Sequence, residues 1–245
     1  MPSPWPSSLW LVRHGESGGN VARDLAEAQG LDDITIDARR DCDVPLSDRG
    51  REQAQALGEW MAEEHERPTA ILTSPYLRAR HTAEIVAGEA GLSVPVRVDE
   101  RLREREFGVL DRLTRRGIER RFPEQATLRK ALGKFYHRPP GGESWCDVIL
   151  RLRSVVDTLT REHHGQRVLL VCHSVVVLCF RYLLEQMTEE QILAVDREAE
   201  VANCSITSYQ LAGERLVLRR FNFVAPLRKK GAEITTEPDV PLRPK

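Results

Sequence analysis

Apolar and polar positions along the chain fall into two alternating periods. Leu9-Trp10-Leu11-Val12 is a short apolar run that predicts a buried strand. A glycine then breaks it, and Asn20 to Ala28 carries the spacing of a helix. Pro45-Leu46-Ser47-Asp48 introduces a second helix with Ser47 as its N-cap, and Ala54, Leu57, Trp60 and Met61 recur on one face. Ala70-Ile71-Leu72 predicts a strand ended by Thr73-Ser74-Pro75, with a helix from Tyr76 to about Glu89, stopped near Gly91. Val94 to Val98 alternates as a strand. Glu143 to His163 reads as a helix with Val148, Leu152, Val155, Val156 and Leu159 inward. Arg167 to Cys172 is the most strand-like run, followed by a helix from Ser174 to Gln186. Ser205 to Gln210 and Leu216 to Phe223 predict late strands, as a hairpin around Gly213.

This alternation predicts an α/β fold: a three-layer sandwich with a mainly parallel sheet and helices on both faces. Residues 111–140 break the rhythm and read as a helical and loop cap inserted over the functional edge. The expectation is one domain over residues 1–225, with a Pro-rich, charged and mobile tail at 226–245. A length of 245 residues allows such a domain.

The formal net charge is -1, so no global field draws the chain to nucleic acid or to a membrane. No stretch reaches the roughly 20 apolar residues that span a bilayer. The N-terminus lacks a basic region followed by an apolar one, so no signal peptide is expected and the location reads as cytoplasmic. Cys42, Cys146, Cys172, Cys179 and Cys204 form no C-x-x-C pair and no zinc spacing. They read as reduced thiols, with a redox switch as the alternative.

Candidate chemistry sits where predicted strands give way to helices. Arg13-His14-Gly15-Glu16-Ser17 ends the first strand, Thr73-Ser74-Pro75 ends the next and leads to Arg78 and Arg80, and Cys172-His173-Ser174 ends a third. In a parallel sheet these junctions share one edge, which is where open α/β sheets bind ligands. Two imidazoles and at least one guanidinium brought together there repel one another unless an anion fills the cluster, and a phosphoryl group suits it. Cationic neighbours keep an imidazole such as His14 neutral and nucleophilic, with its second nitrogen donating to a backbone carbonyl.

These pieces, in order, resemble the histidine phosphatase (phosphoglycerate-mutase-like) superfamily. The resemblance runs through Arg13-His14-Gly15-Glu16-Ser17 with Asn20, Pro45-Leu46-Ser47 with Gly50 and Ala54, and Ser74-Pro75-Tyr76-Leu77-Arg78-Ala79 with Thr82-Ala83. It continues through Leu102-Arg103-Glu104 with Phe107-Gly108, Pro140-Gly141-Gly142-Glu143-Ser144, and Cys172-His173-Ser174, covering roughly residues 8 to 210. It implies that His14 is phosphorylated during turnover and that Glu104 serves as proton donor and general base. It implies that Arg13, Arg78 and His173 bind the phosphoryl oxygens, with His173 counted among the catalytic groups and Asn20 assisting.

The implied substrate is a small phosphorylated metabolite, and neither metal nor cofactor is implied. The segment Gly133 to Tyr136 before Pro139 to Ser144 resembles the phosphatase branch. A phosphoglycerate-mutase-type phosphotransferase and a non-catalytic phospholigand-binding module remain as alternatives. Ser174 stands where the family often has glycine, a change that spares the backbone N–H. Glu106 competes with Glu104 for the acid role, and the spacing to Phe107-Gly108 favours Glu104. Arg80 reads as a helix-surface residue, with a second clamp as its alternative. Glu16 is expected to be structural. His163 and His164 read as charges at a helix end, and His81 as surface or packing. The cap cations Arg112, Arg115, Arg116, Arg120, Arg121, Arg129, Lys130 and Lys134 read either as a solvated face offset by Glu119 and Glu124 or as a field steering an acidic substrate.

Overall fold

Val168 to Val171 is apolar at every position, which suits a strand covered on both faces. In the computed structural model, which describes residues 3–236, this run forms β4 (Arg167–Cys172) at the middle of a six-stranded sheet. It lies between β1 (Ser8–Arg13) and β2 (Ala70–Thr73), both parallel to it. The strand β3 (Val96–Val98) adds in parallel beyond β2. On the far side β5 (Ile206–Ala212) and β6 (Arg215–Phe223) run antiparallel as the expected hairpin. The order is β3-β2-β4-β1-β5-β6, the mainly parallel sheet that the alternation predicts.

The pleat sorts the core into two layers. Val168, Leu170 and Cys172 join Leu9 and Leu11 against α6 (Trp145–Glu162) and α7 (Ser174–Leu184). Leu169 and Val171 join Val12 and Ile71 against α2 (Asp48–Glu63) and α3 (Leu77–Glu89). The α2–α3 contact is built of small residues, Ala54, Ala79, Ala83 and Ala87, which lets the helices lie close. The helix α1 (Gly18–Ala28) follows β1 directly, capped reciprocally by Ser17 and Asn20.

Element ends depart from expectation for local reasons. Pro95 lacks an N–H, so the strand expected from Val94 starts at Val96. Ser144 is the N-cap of α6 and accepts from Asp147 N, so that helix starts at Trp145. The insertion holds α4 (Arg115–Arg121) and α5 (Pro123–Tyr136). Beyond α7, α8 (Glu189–Glu198) was not anticipated, although Thr188 and Gln191 form a capping box that is legible as T-x-x-Q.

The described part of the segment expected to be a tail from residue 226 is packed against the domain. Pro226 opens α9 (Ala225–Lys230), Leu227 is fully buried, and Lys229 and Lys230 pair with Glu63. Ala232 and Ile234 pack against the α2–α3 layer. The sparse apolar residues of this charged segment meet the core layer that α2 and α3 share. Residues 237–245 lie outside the described residues.

Candidate active site

Register brings the junctions together. Arg13 pairs with Cys172, and His14 N donates to Cys172 O at 2.9 Å, so both histidines leave the sheet at one level. Ser74 N donates to Val171 O at 2.9 Å, which fixes the third junction beside them.

The loop after β1 is held at each peptide. Asn203 Nδ2 donates to His14 O at 2.9 Å, Gly15 N donates to Thr82 Oγ1 at 3.0 Å, and Glu16 N donates to Gln53 Oε1 at 2.8 Å. The buried Glu16 carboxylate accepts from Ser47 Oγ at 2.6 Å and from Arg49 at 3.1 Å, the structural role expected of it. The loop lies directly on the first turn of α2: a Cβ on Gly15 would stand 2.4 Å from Gly50 O, and one on Gly50 would stand 1.9 Å from Glu16 O. Only glycine permits this approach.

His14 Nδ1 lies 2.7 Å from Gly15 O. A carbonyl only accepts, so Nδ1 carries the proton and Nε2 keeps its lone pair. Arg78 Nε points to that lone pair at 3.3 Å. Burial first, then the charges of Arg78 and Arg13, hold the His14 pKa well below its ordinary value. The neighbouring cations therefore come second to desolvation in keeping this ring neutral, which amends the sequence reading. The His173 ring crosses His14 edge-on at 5.1 Å, and its Nε2 meets Ser74 Oγ at 2.7 Å. Burial and Arg78 depress its pKa as well.

Arg13 is buried at 2% exposure and donates from Nη1 to Val201 O at 2.5 Å. Together with His14, Asn20, Arg78 and Glu104 it lines one pocket, which Ser17 and Ser174 reach from the starts of α1 and α7. Two helix N-termini at one cavity favour an anion there. Asn20 Oδ1 is committed to the cap of α1 through Ser17 N at 2.8 Å. Glu104 Oε1 accepts from Arg105 N at 2.8 Å. Glu106 is exposed and accepts from Tyr76 OH at 2.7 Å. Arg80 stands on the outer face of α3 beside Glu84. The cap cations are largely paired: Arg115 with Glu119, Arg116 and Arg120 with Asp32, Arg121 with Asp33, Lys134 with Asp196. Of them Arg112 lines the pocket.

Sequence reasoning passed over Asp41, Gln53, Thr82 and Asn203 as functional residues. Thr82 falls inside a quoted motif and Gln53 at helical spacing, yet neither pattern reveals which backbone group each one holds. Asp41 lies in an aperiodic charged stretch, and Asn203 in a turn; neither carries a local signal. All five cysteines are free, and Cys172, Cys179 and Cys204 are buried. Among the described residues no helix is long and apolar enough to cross a membrane.

Comparison with known proteins defines the class. The chain matches the family model "Histidine phosphatase superfamily (branch 1)" over residues 9–224. It belongs to the histidine phosphatase superfamily. Among curated relatives, 6-phosphofructo-2-kinase/fructose-2,6-bisphosphatase of Gallus gallus is 33% identical over 186 residues, 76% of this chain and 34% of that protein. The chain thus spans about a third of the length of the curated relatives it matches. Among solved structures, YhfR of Bacillus stearothermophilus superposes with a TM-score of 0.72 at 28% identity, covering 90% of this chain and 98% of that one. A mycobacterial glucosyl-3-phosphoglycerate phosphatase in complex with VO3 gives a TM-score of 0.69 at 27% identity, covering 89% and 100%.

Proposed function

We propose that this chain hydrolyses phosphomonoesters through a phosphohistidine on His14. The observation that carries the reading is the unprotonated Nε2 of His14, which accepts from Arg78 Nε at 3.3 Å while Nδ1 is tied to Gly15 O. Nε2 attacks phosphorus as the bond to the ester oxygen breaks, and Glu104 supplies the proton that oxygen needs. Water then attacks the phosphohistidine, Glu104 takes its proton, and His14 returns to its starting form. Arg13, Arg78, His173 and Asn20 bind the three phosphoryl oxygens, whose charge must be stabilised as the group transfers. Each well-aimed donor contributes about 3 kcal/mol to that stabilisation.

The substrate is a small phosphorylated metabolite. Relatives described as a fructose-2,6-bisphosphatase and a glucosyl-3-phosphoglycerate phosphatase support that class. The steps as proposed call on side chains of this chain and water, and on neither metal nor cofactor. The test is phosphate release from p-nitrophenyl phosphate by the intact protein and by His14→Ala, each with and without a chelator. Turnover that a chelator leaves intact and His14→Ala abolishes supports the reading. Equal rates in both proteins contradict the nucleophile. An inactive wild type that still takes acid-labile phosphate on His14 from a phosphoglycerate is a mutase instead.

A further inference from the structure

A guanidinium carries five N–H donors in one plane, grouped along its edges. Asp41 takes three of those on Arg78. Its backbone oxygen accepts from Nη1 at 2.8 Å, one carboxylate oxygen accepts from Nη1 at 3.2 Å, and the other accepts from Nη2 at 2.9 Å. What remains is Nε–H, which donates to His14 Nε2, and the second Nη2–H; the two share the adjacent side edge. That edge faces the nucleophile, with Nε 3.3 Å from His14 Nε2. The guanidinium carbon lies 4.8 Å from the centroid of the Tyr76 ring, a cation–π contact on its face.

We propose that Asp41 is the positioning residue of the phosphoryl clamp. It holds Arg78 end-on so that the Nε edge, a two-donor fork, is aimed at the oxygens of a group bound to His14 Nε2. The inference rests on the phosphohistidine reading of the site. Two features favour positioning over competition with the phosphoryl group. A stand-in for the phosphoryl group would occupy the edge that faces His14, whereas Asp41 occupies the other one. Arg78 is also deeply buried, its side chain 7% exposed, and a buried guanidinium without a counter-charge is costly when the pocket is empty. Asp41 supplies that charge from a 3₁₀ turn over Asp41–Asp43, which closes on the buried Val44 and is braced by Arg40 on Asp43 at 2.8 Å.

The experiment compares wild type, Asp41→Asn, Arg78→Lys and the double variant on p-nitrophenyl phosphate, with His14→Ala as the blank and inorganic phosphate as inhibitor. Asn keeps the shape of Asp and removes the charge. The kcat of Asp41→Asn is expected to fall roughly 10- to 100-fold, the cost of misplacing a catalytic group by about an ångström. Its inhibition by inorganic phosphate changes far less, because losing a negative charge beside the pocket offsets the looser clamp. In the Arg78→Lys background the Asp41 change has little further effect, since both residues act through one contact. Asp41→Glu, which restores the charge, recovers part of kcat and shows that the loss is not one of folding. An unchanged or raised kcat with tighter phosphate inhibition overturns the inference and makes Asp41 a competitor. No turnover by the wild type overturns the underlying reading instead, so the two failures are distinct.

Discussion

His14 and His173 are imidazoles kept neutral by burial and by Arg78. Each ordinarily titrates at 6.5, and each folded value lies below that. Between the folded and unfolded values the unfolded chain binds more protons, so stability falls as pH drops below 6.5 and is complete above it. Thermal melts from about pH 8 to about pH 5 are expected to show a falling Tm that His14→Asn and His173→Asn each flatten. In the proposed reaction the same depression keeps His14 in its reactive neutral form, so kcat/KM is expected to hold level as pH passes downward through 6.5. A loss of rate centred on 6.5 would mean that His14 titrates as an ordinary histidine. At this scale the sequence named the groups better than their environment. The placement of Arg13, His14, Arg78 and Glu104 around one pocket, with His173 beside His14, was legible because each sits at a strand end or in an ordered motif. Asp41 and Asn203 were not, because their roles exist only once distant turns meet.

Among the elements, the joint between the loop after β1 and the start of α2 is the tightest. Gly50→Ala puts a methyl group 1.9 Å from Glu16 O, against backbone that cannot swing away. A loss of roughly 1–3 kcal/mol is expected in denaturant melts, with a fall in kcat because the displaced peptide carries His14. The segment after α9 braces the same loop from behind. Thr235 Oγ1 donates to Asn203 Oδ1 at 3.0 Å and accepts from Gln53 Nε2 at 2.8 Å, and these two side chains hold His14 O and Glu16 N. Thr235→Val keeps the shape and deletes both bonds, at a cost of about 1–3 kcal/mol. Its kcat should fall more than its KM rises; a loss of stability with unchanged kcat would make the segment merely a fastening. Hydrophobic period made β1, β4 and α2 readable in advance. It did not reveal α9, where Leu227 stands alone among charged residues and is buried only through its contact with the core layer that α2 and α3 share.

Across the whole molecule the charge is balanced locally as well as in total. The cap looks strongly basic in sequence, but Asp32 and Asp33 from the turn after α1 cover Arg116, Arg120 and Arg121. Those partners lie some eighty residues away in sequence, out of reach of any local reading. Long-range steering of an anionic substrate should accordingly be small. Between about 20 mM and about 500 mM salt, kcat/KM is expected to change by less than roughly threefold. A steep decline would restore the cap as an electrostatic funnel. The parallel sheet, its two helical layers and the meeting of three junctions at one edge followed from alternation alone, because a strand buried on both faces admits few arrangements.

The central claim is that His14 Nε2 carries the phosphoryl group, and the direct measurement is to trap it. The protein is mixed with a phosphomonoester, quenched in alkali within the turnover time, and mapped by mass spectrometry beside the His14→Ala variant. Phosphate stable to alkali and labile to acid, located on His14 and absent from the variant, is the predicted result. Phosphate on another side chain, or undiminished turnover by His14→Ala, would contradict it.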